Sequence, residues 1–377
     1  MGEMADLMAA LQKTPYHHWM KAEGVPVAEG YGIEDVRELQ LAPWPRMGGR
    51  GSFIHLYGME GLTGMYVAEI PPGDALKPEK HLYEEVICVL SGQGAMEVWQ
   101  DERKKQTFEW EPWSLFSPPL NGWHRMINGG REPVRFLAVT TAPLVMDIFH
   151  SAEFIFDCPQ AFSDRYRAEE GYFSVGQKQY TVGMQSIWET NFIPNVKEFN
   201  IKDEFFTKGP DIKLVQFEPC GNILVGHVAD WPVGLYHKAH YHDAGAVLMI
   251  LRSQGYTLLW PMDAGIRPYE NGRGGEVVEV KWSEGAVLSP PGGWFHQHFN
   301  AGAEAARQLA IRYGSRIHRT GFHLAAQKKT DGVYISVKDG GTMIEYEDED
   351  PEIRRQYEAA LKKNAVPCKM PPVKYSR

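Results

Sequence analysis

From about Gly61 the chain is a succession of short apolar runs separated by turn residues: Thr63 to Ile70, Val86 to Leu90, Ala95 to Gln100, Thr107 to Trp110, Trp113 to Ser117 and Val134 to Thr141. Such runs, bounded by Gly, Pro, Asn and Asp, predict the strands of a compact antiparallel sandwich or barrel. The same texture returns at Lys213 to Phe217, Asn222 to Val228, Val247 to Leu251, Thr257 to Trp260, Glu276 to Trp282, Ala286 to Ser289 and Gln308 to Tyr313. Elsewhere the pattern changes. Met4 to Leu11 has helical spacing, and Pro15, Pro26, Pro43 and Pro45 then mark an irregular arm. Residues 147–211 mix helix-like pieces with aromatic loops and read as a connection. The tail carries the acidic run Glu345 to Glu352, expected as a solvated helix start, and a short helix over Glu352 to Lys362.

The two strand-rich halves repeat each other. Gly92-Gln93-Gly94 follows Val86 to Leu90 as Ser253-Gln254-Gly255 follows Val247 to Leu251, and Pro119 to Asn128 matches Pro291 to Asn300 in the spacing of Pro, aromatic, His and Asn. His296 lies 54 positions after His242, against 43 from His81 to His124; the charged, turn-rich Gly265 to Gly275 accounts for the difference as an extended hairpin. A chain of 377 residues exceeds the usual single core, which agrees with two domains.

Within this frame His240 and His242 sit two apart and aim two imidazoles to one face of an extended segment, while His296 comes from a second strand. Three neutral nitrogen donors leave a divalent ion its full charge and open positions for oxygen and substrate. His298 shares the parity of His296 and is the candidate catalytic side chain, with a satisfied lining residue as the alternative. His237 has the opposite parity to His240 and is expected outside the site. In the first half Glu79, His81 and Glu85 share parity, and with His124 they form a possible two-carboxylate, two-histidine site. Trp260, Trp294 and Phe295 are candidates for an apolar wall around a substrate ring. Arg252 and Arg312 are read first as salt-bridging residues, with carboxylate binding as the alternative.

The formal charge of −9, with no long basic patch, disfavours a nucleic-acid or anionic-membrane partner and favours a small molecule. No apolar stretch reaches the roughly 20 residues that span a bilayer; Val134 to Met146 is interrupted by Arg135 and Pro143. Cys88, Cys158, Cys220 and Cys368 lie far apart, and no signal peptide is evident, so a cytoplasmic protein with packed thiols is expected.

These motifs resemble the cupin superfamily, and their duplication resembles the bicupins. Gly285, Pro291, Gly293, His296 and Asn300 fit the second cupin motif throughout, while His240 and His242 open the first, with Ala246 where the family usually carries its glutamate. That departure resembles the three-histidine branch containing gentisate and salicylate dioxygenases. In the first half Glu79 stands at the first histidine position, His81, Glu85 and His124 stand at ligand positions, and Trp113 and Asn121 replace motif glycines.

The resemblance implies an all-β fold of two double-stranded β-helix (jelly-roll) barrels, at 61–145 and 213–318, joined by the connection 146–212 and flanked by the arm 1–60 and the tail 319–377. It further implies Fe(II), with Mn, Ni and Zn as alternatives, and association into a homo-oligomer. The expected activity is dioxygenation of a small aromatic or hydroxy-carboxylate compound. Non-redox lyase, isomerase or decarboxylase chemistry and a non-catalytic binding role are the alternatives.

Overall fold

In the computed structural model, residues 14–174, 178–182, 185–201, 208–318, 320 and 335–376 are described. The expected helix at Met4 to Leu11 lies outside them. The first half contributes β1 (Gly49–Leu56), β2 (Gly64–Ile70), β3 (Glu85–Ser91), β4 (Gly94–Trp99), β5 (Gln106–Trp110), β6 (Leu115–Phe116), β7 (Trp123–Ile127) and β8 (Val134–Thr140). The second half repeats the series with β9 (Lys213–Glu218), β10 (Leu224–Trp231), β11 (Ala246–Arg252), β12 (Gln254–Pro261), β13 (Val278–Ser283), β14 (Val287–Leu288), β15 (Trp294–Asn300) and β16 (Ala306–Tyr313).

Each half is a sandwich of a large and a small sheet. The large sheets run β1-β2-β8-β3-β6 and β9-β10-β16-β11-β14 at their centres, and the three-stranded sheets run β7-β4-β5 and β15-β12-β13. The expectation of two jelly-roll sandwiches holds. The long β12–β13 connection supplies the extended hairpin. β1 falls inside the stretch expected as an irregular arm: it pairs with β2, and Val27–Gly30 adds to it in parallel. The halves also exchange edges, Gly32–Ile33 pairing with β14 and Phe192–Ile193 with β6.

Both faces of the large sheets are buried, which explains why Val86 to Leu90 and Val247 to Leu251 read as continuous apolar runs rather than alternating ones. Ile87, Val89, Phe136 and Ala138 turn into the first sandwich. Val86, Cys88, Leu137 and Val139 join Val247, Met249, Leu309 and Ile311 in a core shared between the halves. Glu84 strengthens this junction: Oε2 accepts hydrogen bonds from the amides of Ile223 and Leu224, both at 2.8 Å, and Oε1 accepts one from Arg165 at 2.9 Å.

Close backbone approach accounts for the matched glycines of the repeat. A Cβ on Gly94 would stand 2.0 Å from the Ile127 carbonyl oxygen, and one on Gly255 would stand 1.9 Å from that of Phe299; each glycine lies under a tryptophan, Trp110 or Trp282.

In the tail, α1 (Pro351–Lys363) packs Ile353, Tyr357 and Leu361 against Tyr256, Leu258, Trp260, Phe295 and Phe299 on the outer face of the second small sheet. Trp260 and Phe295 therefore belong to this outer core, and Trp294 stands beside Tyr31; they do not wall a substrate cavity. The acidic run is solvated only in part, Glu347 being exposed. Asp348, Glu349 and Asp350 are buried, and Asp350 caps α1 while accepting hydrogen bonds from the Tyr269 and Glu270 amides. Cys88, Cys158 and Cys220 are buried and Cys368 is exposed, all as free thiols. No described helix is long and apolar enough to cross a membrane.

Candidate metal centres

The small sheet and the segment preceding β11 bring the histidines of the second half together. His240 bridges His296 on β15, and the donor atoms of His240, His242 and His296 all lie within 4.8 Å of one another. In each of the three, Nδ1 faces a main-chain carbonyl: Lys238 at 3.2 Å, Asp243 at 2.7 Å and Trp294 at 3.3 Å respectively. A carbonyl can only accept, so Nδ1 carries the hydrogen and Nε2 offers its lone pair, the arrangement a metal-binding imidazole needs.

Burial holds His240 and His296 well below the ordinary histidine range, helped by Lys208 and neighbouring histidines, and holds His242 down to about 3. All three are neutral at pH 7 and free of proton competition for a cation.

The same side chains line a cavity of about 30 Å³, together with His227, His237, His298, Gln308, Arg312 and Lys208. Among the described residues its lining holds neither a carboxylate nor an aromatic ring other than imidazole. A larger surface groove, about 680 Å³ beside α1, gathers no cluster of ligand-type side chains among the described residues. His298 is buried in that space, its Nδ1 2.8 Å from the Thr257 hydroxyl, which also accepts a hydrogen bond from the Trp282 indole at 3.1 Å. The hydroxyl can donate or accept, so His298 is not committed to one tautomer as the three ligand candidates are.

One expectation is corrected here. His237 lines the cavity: its amide donates to the His298 carbonyl, whereas Tyr236 pairs with Phe299 and His240 with His296. The register slips by one residue between Tyr236 and His240, so strict alternation does not carry across the segment. Arg312 also faces the cavity, from the inward positions of β16 that include Gln308 and Ala310. Arg252 instead donates to the Lys197 carbonyl at 2.8 Å, as a structural residue would. Asn300 donates to the Pro232 and Glu304 carbonyls and steadies a loop, and Gln297 faces outward to the His237 carbonyl and Glu349. Gln308 and Arg312 were detectable as alternate polar positions in an apolar strand. Lys208 comes from the connection and carried no sequence signal.

In the first half the donor atoms of Glu79, His81 and His124 lie within 4.8 Å of one another, and Glu85 Oε2 stands 3.6 Å from His81 Nε2 and 3.8 Å from His124 Nε2. The Nδ1 atoms donate to the Tyr83 and Gly122 carbonyls at 2.8 and 2.9 Å, and both Nε2 atoms are buried with no hydrogen-bond partner among the described residues. The donor set fits a divalent cation. Burial raises the Glu79 carboxyl, but Arg46, which donates to it, outweighs burial together with His124 and His81 and holds it below its ordinary value. The Tyr66 hydroxyl donates to Glu85 at 2.5 Å, and the space left beside the cluster is only about 10 Å³.

Residues 66–140 match the cupin domain family. No curated protein matches the chain's sequence. Among solved structures, one describing Mn(II) centres in Bacillus subtilis oxalate decarboxylase is similar at 12% identity over 75% of this chain and 77% of that one, with a TM-score of 0.46. A single-substitution mutant of the same enzyme gives 11% identity, the same coverage and a TM-score of 0.47. The family match thus falls on the first sandwich, and the second repeats the strand order of the first around a histidine cluster of its own.

Proposed function

We propose that the chain is a metal-dependent enzyme whose reaction takes place in the second cavity, on a small, non-aromatic hydroxy- or dicarboxylate. The observation that carries this reading is the convergence of His240, His242 and His296, each with Nδ1 directed at a main-chain carbonyl. A divalent ion held there supplies Lewis acidity and, when it is Fe(II), redox chemistry with dioxygen. The small volume and the lack of any ring other than imidazole among the described lining residues favour a compact aliphatic acid over a phenolic ring. In the first site, Glu79, His81, Glu85 and His124 are the ligand candidates, and the filled space around them favours a structural ion.

A non-redox decarboxylase, lyase or isomerase, with Mn, Ni or Zn, is the reading we place first. Burial, reinforced by Arg312, lowers Lys208 to about 7, so its ammonium is a proton donor matched to neutral pH. In a decarboxylation the bond to the carboxylate carbon breaks and carbon dioxide leaves. The electron pair stays on the neighbouring carbon, and Lys208 Nζ delivers the proton that quenches it. His298 would orient the substrate through its ring nitrogen facing the cavity.

An Fe(II)-dependent dioxygenase is the second reading. It is favoured by a trio of neutral donors with Ala246 in place of a carboxylate, which leaves charge neutralisation to an anionic substrate. Turnover of a panel of small hydroxy- and dicarboxylates, followed with an oxygen electrode and by carbon dioxide release under argon, separates the two. Stoichiometric product under argon supports the first, and strict coupling to oxygen uptake supports the second.

A further inference from the structure

Each sandwich sends its first hairpin turn across the junction onto the other's histidine-bearing loops. Residues 57–63, between β1 and β2, reach the second sandwich in several places. The Gly245 amide donates to the Gly58 carbonyl at 2.8 Å, and the Thr63 hydroxyl donates to the Gly245 carbonyl at 3.3 Å. The Gly292 amide donates to Glu60 Oε1 at 2.9 Å. Approach is so close that a Cβ on Gly58 would stand 2.3 Å from the Pro290 carbonyl oxygen and 2.4 Å from that of Ser289. Tyr57 adds an edge-on ring contact to Tyr31, which lies beside Trp294.

The turn between β9 and β10 is its counterpart. Glu60 and Gly61 have φ of 43° and 74°, and Cys220 and Gly221 repeat them at 53° and 66°. This second turn crosses the other way: the Cys220 thiol donates to the Ser117 carbonyl at 3.1 Å, and the Ile223 amide donates to Glu84. Ser117-Pro118-Pro119 and Ser289-Pro290-Pro291 are copies of one motif, so both turns press on the same place in the repeat. A left-handed residue other than glycine, recurring in both turns, persists where its surroundings hold it. The copies part at the next residue. Leu120 of the first becomes Gly292 of the second, where a Cβ would stand 3.1 Å from Glu60 Oε2.

What this contact acts on is His242. His240 and His296 are tied to each other by main-chain hydrogen bonds at 3.1 and 2.8 Å, whereas His242 lies past that bridge and is the least buried of the three. Its carbonyl accepts from the Gly293 amide at 3.1 Å, and three residues on Gly245 meets Gly58 and Thr63. Both segments that place His242, residues 243–245 and 290–293, are therefore held from the first sandwich.

We propose that the β1–β2 turn, with Glu60 as its principal contact, positions His242, so that the second metal centre reaches its full affinity only with the first sandwich folded against it. Glu60 acts through the loop carrying Gly292 and Gly293 and is not itself a ligand. This inference rests on the reading that the second cavity holds the metal, and it adds what fixes the geometry of that centre.

The test titrates Co(II), whose visible spectrum reports ligation, into the full chain carrying His81→Ala, which strips the first centre of a ligand. Added to that parent, Glu60→Ala should weaken Co(II) binding about ten- to a hundredfold, the usual cost of losing a group that orients a metal ligand, and should shift the visible bands. Glu60→Gln keeps an acceptor for the Gly292 amide and should recover most of the affinity. Glu84→Ala breaks the opposite crossing; it should lower stability in urea yet leave Co(II) affinity within about twofold, as an independent position does. Co(II) affinity in Glu60→Ala within about twofold of the parent, or a loss that Glu84→Ala equals, overturns the positioning role and leaves the metal reading standing. A titration that His242→Ala leaves unchanged overturns the metal reading, and the positioning role with it.

Discussion

Glu349→Gln should change how stability depends on pH. Glu349 is buried behind β15, where the Tyr236 hydroxyl donates to one carboxyl oxygen and the Gln297 amide donates to the other at 3.1 Å. Burial raises its carboxyl from 4.5 to about 7, and these two hydrogen bonds offset only part of the rise. At about 1.4 kcal/mol per factor of ten, carrying the charge in the folded state costs roughly 3 kcal/mol once the pH is above 7. The sign follows from linkage. A carboxyl whose folded value is raised favours folding below its unfolded value near 4.5, and that contribution is lost as pH rises through 7.

Glutamine keeps an acceptor for Tyr236 and cannot ionise. Relative to the wild type the variant should therefore gain stability as pH rises from 5 to 8.5, by about 2 to 3 kcal/mol across that interval. Urea unfolding of both proteins at the two pH values, followed by tryptophan fluorescence, measures it. A difference between the proteins that is the same at pH 5 and 8.5 would refute the reasoning.

Other consequences can be measured on the same material. Burial lowers His242 and His298 to about 3, so metal-free protein should lose stability as pH falls below about 6.5, by up to about 1.4 kcal/mol per pH unit for each such histidine; a flat melting temperature between pH 6.5 and 5 would count against it. Gly255→Ala places a methyl against the Phe299 carbonyl and should lower the melting temperature sharply, whereas Gly272→Ala, with open space around it but a positive φ, should cost only about 1 kcal/mol. Glu84→Ala strips the Ile223 and Leu224 amides and Arg165 of their shared acceptor, and should destabilise the junction by roughly 2 to 4 kcal/mol in chemical denaturation; an effect below about 0.5 kcal/mol would show that the link contributes little.

The two-sandwich architecture and the meeting of His240, His242 and His296 were legible because they depend on short-range regularities: run length, alternation on β15 and a repeated motif. What escaped depends on register and on distant chain. His237 enters the cavity through a one-residue slip that alternation does not anticipate. Lys208 arrives from the connection, and Trp260 and Phe295 turn outward because α1 of the tail covers them. β1 lay hidden among the prolines and glycines of the arm although Ser52 to Leu56 are buried. The buried acids Asp348, Glu349 and Asp350 looked like a solvated run because composition does not show which hydrogen-bond donors will meet them.

The most direct test of a reactive ion in the second cavity is the metal content and turnover of protein purified without chelators, compared with His242→Ala and His81→Ala. We expect His242→Ala to lose the second-cavity metal together with all turnover, while His81→Ala keeps that metal and most of the activity. Turnover that persists in His242→Ala and disappears in His81→Ala would place the reaction in the first sandwich and contradict the account.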